Sequence, residues 1–128
     1  VNVQALINID GLSDFASDEA LPFENDPKKK PSAAGAWFGG RYEEVTHLWL
    51  QASPYFYIDS NAPPTLFLNG ERDRFHAGRD AAIKELSKHN IRTKVVKFDN
   101  APHSFWLVNP WLEPTITHCV DFLKDIIH

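Results

Sequence analysis

The chain contains no methionine and only one cysteine, Cys119. A lone thiol excludes an internal disulfide framework and a zinc site built from several cysteines. Basic residues do not predominate: 13 Lys and Arg stand against 17 Asp and Glu, for a net charge of -4. That balance argues against nucleic-acid binding through phosphate contacts, which needs a basic face. No apolar stretch approaches the roughly 18 residues of a membrane-spanning helix, so no membrane partner is expected. No signal-peptide pattern is present in these residues, which leaves the compartment open. Val1 leads directly into an apolar run without an initiator Met. The expectation is therefore a processed product or one part of a longer protein.

What is present suits a packed domain. Hydrophobic residues make up 43% and charged residues 23%, enough to build a core and cover it. Residues 3–9 read as a mostly apolar strand. Residues 10–40 carry Pro, Gly, Asp and Lys without sustained periodicity and read as an irregular excursion, the kind of long loop that is often functional. From Arg41 the spacing turns helical, with Tyr42, Val45, Leu48, Trp49 and Ala52 on one face, and Pro54 ends the run. Pro63-Pro64 lead into Thr65-Leu66-Phe67-Leu68, an apolar run closed by Asn69-Gly70 that reads as a central strand. Residues 77–89 fit an amphipathic helix with Ala82, Ile83 and Leu86 inward. Residues 93–98 fit a third strand, nearer an edge because of Lys94 and Lys97. Residues 113–127 fit a last helix with Ile116, Val120, Leu123 and Ile127 on one stripe, and Pro114 in its first turn.

Strands alternating with helices imply an α/β fold, a three-layer α/β/α arrangement around a parallel sheet. Sites in such sheets form at the carboxyl ends of the strands. The three loops there are Asp10-Gly11-Leu12-Ser13-Asp14-Phe15, Asn69 to His76, and Asp99 to Trp106. The last two follow neighbouring strands, and they offer an acid, Asp73, and a base, His103. A carboxylate that accepts a hydrogen bond from one imidazole nitrogen fixes the tautomer and stabilises the imidazolium formed when the other nitrogen takes a proton. Between Asp73 and His103 there is room for one helix and one strand.

Pro63-Pro64-Thr-Leu-Phe-Leu-Asn-Gly70-Glu-Arg-Asp73, the helix over 77–89, the strand over 93–98, the Pro102-His103-Ser-Phe-Trp loop and the closing helix together resemble the C-terminal part of the α/β-hydrolase superfamily. Ala52-Ser53-Pro54 and Ile7-Asn-Ile-Asp-Gly-Leu-Ser-Asp14 extend the resemblance over nearly the whole chain. Residues 102–111 are most similar to esterases acting on acetylated plant polysaccharides. The resemblance implies Asp73 as the acid and His103 as the histidine of a Ser-His-Asp triad, with Glu71 as the alternative acid. It also implies a serine in a G-x-S-x-G elbow. None of the seven serines stands in that motif, so the elbow is expected just before Val1. The chain alone is then expected to be inactive, as the last part of a serine ester hydrolase.

No cofactor and no metal are implied. His76 follows Asp73 at helical spacing, but further ligands are not evident. Trp106 beside His103 is a candidate for stacking against a sugar ring. Trp111 is as well explained by packing on the last helix, and Trp37 and Phe38 by a lid or by core cover. Cys119 should face the core. The expected partners are an acylated carbohydrate or other small ester, and a missing N-terminal half or second copy along the first strand's edge. A carbohydrate-directed enzyme would be secreted or periplasmic. A non-catalytic α/β binding domain and a serine peptidase of the same fold are the alternatives.

Overall fold

A computed structural model describes residues 3–127; Val1, Asn2 and His128 lie outside the described residues. Three parallel strands form one sheet in the order β1 (Leu6–Ile9), β2 (Thr65–Asn69), β3 (Thr93–Lys97). Leu6 pairs with Thr65 and Ile9 with Leu68; Thr65 pairs with Thr93 and Asn69 with Lys97. All three strands therefore end at the same edge of the sheet. Every residue of β2 is buried, as its unbroken apolar run requires, whereas Lys94, Val95 and Lys97 of β3 are exposed.

Alternation along the strands assigns the two faces. Leu66 and Leu68 cluster with Ala101, Phe105 and Phe122, and Ile7, Ile9, Val96 and Phe98 pack against them. Phe122 belongs to α5 (Leu112–Ile127), which covers this face. Phe67 points the other way, into a cavity of about 550 Å³ that it shares with Ala82 and Leu86 of α4 (Arg79–Lys88). Helices thus lie on both faces, giving the α/β/α layering expected from the sequence.

Three details differ from expectation. The excursion over 10–40 is not wholly irregular: it holds α1 (Leu21–Glu24), started by Pro22, and α2 (Ala33–Phe38), whose Ser32 caps the Gly35 amide. The helix expected from Arg41 begins only at Thr46 and runs to Gln51 as α3. Its apolar face is right, because Trp49 is fully buried, but Glu44 accepts the Arg41 amide and holds the preceding residues in a separate turn. The buried stripe of α5 is rotated by about one residue. Thr115 and Phe122 are buried, with Cys119 and Ile126 against the core, while Ile116, Val120 and Ile127 face outward. The expected stripe used the most apolar residues; the core instead takes the face that places the Phe122 ring on Leu66 and Leu68.

The start of the excursion is tied to the chain that follows α3. The Ser53 hydroxyl donates to the Trp49 carbonyl and accepts from the Phe15 amide at 2.9 Å. Tyr55 donates its amide to the Ser13 carbonyl at 2.8 Å, and Ser13 donates to Ala77.

Candidate active site

Each strand delivers one part of a cluster at its carboxyl end. After β1, Asp10 turns through the left-handed region at φ 47, a conformation that a short polar side chain tolerates better than most. Its carboxylate then reaches across the end of β2. There Gly70 leaves the space open: a Cβ on Gly70 would lie 2.8 Å from the Ala101 carbonyl oxygen and 3.3 Å from Asp10 Oδ2. The Gly70 amide donates to Asp10 Oδ1 at 2.8 Å. After β3, the loop carries His103 to the other carboxylate oxygen, with Nδ1 3.1 Å from Asp10 Oδ2. A carboxylate only accepts, so Nδ1 carries the proton and Nε2 is left with its lone pair.

Asp10 is almost wholly buried, at 1% side-chain exposure, and His103 is 37% exposed. Among the described residues nothing bonds His103 Nε2, so a base with its tautomer fixed faces solvent from the sheet's carboxyl edge. The imidazole is also bounded by rings. Phe75 stacks on it at a centroid distance of 3.7 Å and an interplanar angle of 14°, and Trp106 meets it edge-on at 5.4 Å. Trp106 packs against the core as well, as does Trp111.

The expected Asp73–His103 contact is not what the structure holds. Asp73 opens the 3-10 turn Asp73–His76, which carries its carboxylate outward to 87% exposure. It lies 3.6 Å from His76 Nδ1 and 3.8 Å from Lys97 Nζ. It also lines a separate cavity of about 350 Å³ with Glu19, Phe23, His76, Arg79 and Asp80. The carboxylate on His103 belongs to Asp10. The signal for Asp10 was in the sequence, an acid directly after an apolar strand and before Gly11. What hid it was the assumption that only the loops of β2 and β3 meet. Because Gly70 has no side chain, the loop of β1 reaches over it instead.

His76 supports the cluster from below. Its Nε2 lies 3.1 Å from the Gly70 carbonyl and 3.9 Å from Asp10 Oδ1. Burial and the neighbouring Arg79 guanidinium hold its pKa below the ordinary histidine value, against the pull of Asp10, Asp73 and the Gly70 carbonyl. The neutral ring donates Nε2–H to Gly70. Trp37, on α2, is 80% exposed, whereas its neighbour Phe38 is buried against Trp49.

A buried carboxylate orienting a histidine at the carboxyl edge of a parallel sheet suits proton transfer during acyl transfer. Residues 1–81 match the family model BD-FAE. The chain belongs to the BD-FAE family. These domains are esterase-like and of the α/β-hydrolase type, in agreement with the sheet described above. The matched BD-FAE residues include Asp10, Gly70, Asp73 and Phe75; His103 and Trp106 lie beyond them. No curated protein matches the chain.

No serine hydroxyl bonds His103 among the described residues. Ser53 and Ser13 are buried, Ser32 caps α2, and the Ser17 and Ser87 hydroxyls donate to the backbone carbonyls of Asp14 and Lys84. Among the described residues no group of three or more His, Cys, Asp or Glu is placed to hold a metal ion, and no helix is long and apolar enough to cross a membrane.

Proposed function

We propose that this BD-FAE chain forms the acid–base part of a serine carboxylic-ester hydrolase whose substrate is a carbohydrate carrying small acyl groups such as acetyl. The observation that carries the reading is the hydrogen bond from His103 Nδ1 to buried Asp10, with Nε2 free at the sheet's carboxyl edge. His103 Nε2 takes the proton of a serine hydroxyl as that oxygen attacks the ester carbonyl. It then returns a proton to the leaving alcohol. In the second half of the reaction it deprotonates the water that releases the acid. Asp10 positions the imidazole and stabilises its charged form, the part that the family resemblance alone gives to Asp73. The serine comes from an elbow that precedes Val1, on a strand that pairs with the free edge of β1. Trp106, edge-on to His103, offers a ring for a sugar to stack on. No cofactor takes part.

The test is hydrolysis. The chain by itself should cleave p-nitrophenyl acetate no faster than free imidazole does. The reading frame extended upstream through a strand and a G-x-S-x-G elbow should release acetate from acetylated polysaccharide. That activity should be blocked by a serine-directed phosphonate and abolished by His103→Ala. Phosphonate-sensitive turnover by the chain alone, or turnover that survives His103→Ala, would overturn the reading.

A further inference from the structure

The bond to Asp10 restrains the His103 ring at Nδ1, and limited rotation about the side-chain bonds can still tilt the ring's plane. The direction of Nε2 therefore depends on what holds the ring's plane. That plane lies 3.7 Å from the Phe75 ring and within 14° of parallel to it. Phe75 is itself held. The Arg74 guanidinium carbon lies 5.0 Å from the Phe75 centroid and 5.7 Å from that of Phe23 on α1. Arg74 is fixed in turn by an ion pair with Glu24, also on α1, at 2.5 Å. Glu24 is buried, at 6% exposure, while Arg74 is one-third exposed. A buried carboxylate with a single cationic partner holds that partner firmly, because losing it would leave an uncompensated charge.

We propose that Phe75 is a positioning residue for His103, and that α1 of the excursion, through Glu24 and Arg74, sets where Phe75 sits. The excursion thereby orients the base as well as covering the sheet. What His103 does rests on the ester-hydrolase reading; where its ring points does not. The contribution therefore falls on the proton-transfer step that uses His103 Nε2, through the direction in which that nitrogen points.

The experiment is histidine NMR on the intact protein, with folding checked by urea denaturation. A ring stacked on an aromatic face has its carbon-bound protons shifted upfield. The His103 ring protons should lie upfield in the wild type and in Phe75→Tyr, and should return to ordinary positions in Phe75→Leu. Glu24→Gln keeps the shape and removes the charge. It should move the same signals part of the way, and it gives a reading even where Phe75→Leu does not fold. In the ester-hydrolysing protein, Phe75→Leu should lower kcat roughly 3- to 10-fold, the range expected for one aromatic pair. KM should be unchanged, and Phe75→Tyr should restore the rate. His103 signals that stay put in both Phe75→Leu and Glu24→Gln overturn the positioning role and leave the hydrolase reading standing. Shifted signals, together with an upstream-extended protein that carries the elbow yet shows no esterase activity, uphold the positioning of the ring and overturn the hydrolase reading alone.

Discussion

Asp10 does two jobs with two oxygens, and two substitutions separate them. Asp10→Ala removes both acceptors. The Gly70 amide, buried beneath the loop, then loses its partner, and an unpaired buried amide costs about 1–3 kcal/mol. Alanine must also occupy the left-handed turn at φ 47, at about 1–2 kcal/mol. The expected loss is therefore about 2–5 kcal/mol. Asp10→Asn keeps the acceptor for Gly70 and tolerates the turn, so its cost should stay below about 1 kcal/mol. It nevertheless places an amide N–H where His103 Nδ1 met an oxygen. The imidazole should answer by moving its proton from Nδ1 to Nε2, which takes away the lone pair that a base needs; in a serine protease the equivalent change lowers kcat about 10⁴-fold. Urea denaturation reads the first effect, and long-range ¹⁵N–¹H spectra of the imidazole read the second. Two results would refute the reasoning. One is an Asp10→Ala protein as stable as the wild type. The other is an Asp10→Asn protein in which His103 Nδ1 keeps its proton.

Two further outcomes follow from the same cluster. The folded-state pKa of His76 lies below its ordinary value of 6.5. The stability this contributes is fully present above pH 6.5 and is lost as the pH falls through the lowered folded-state value. His76→Gln should flatten that stretch of the stability–pH curve, and a slope left unchanged would show that another group causes it. Gly70→Ala puts a Cβ 2.8 Å from the Ala101 carbonyl oxygen and 3.2 Å from the Phe105 ring. It should cost about 1–3 kcal/mol by overpacking and disturb the His103 signals, because the displaced loop is the one that carries His103. A wild-type urea midpoint would contradict that close approach.

The elements that carry strong period or composition were legible in the sequence. The Pro-Pro-led run became the fully buried β2, Lys94 and Lys97 marked β3 as an edge, and Ala82 and Leu86 marked the inner face of α4. Local chemistry without a period was not legible. The turn before α3 rests on local bonds, among them the Arg41 amide to Glu44 and the Tyr42 amide to Asn25, and the rotation of α5 depends on where Phe122 meets Leu66 and Leu68. His103 was readable from its place after the last strand. Its partner was not, because a carboxylate contact spanning three strands depends on the absence of a side chain at Gly70. Phe75 and Glu24 left no sequence signal, since their relation to His103 exists only once α1 has docked.

Two ties, Phe15 to Ser53 and Ser13 to Tyr55, hold the start of the excursion against the turn that follows α3, closing one loop that runs through α1, α2 and α3. A segment closed at its base can change length at little thermodynamic expense, since doubling a flexible loop adds only about 0.6 kcal/mol of closure entropy. The stretch between α1 and α2, with its Lys28-Lys29-Lys30 run, can therefore be lengthened, trimmed or replaced while the strands keep their register. Glu24, upstream of that stretch, would keep its hold on Arg74. Variation there would leave unchanged the contacts through which Phe75 meets His103. The surface presented by the excursion could thus change independently of the contacts that hold Phe75.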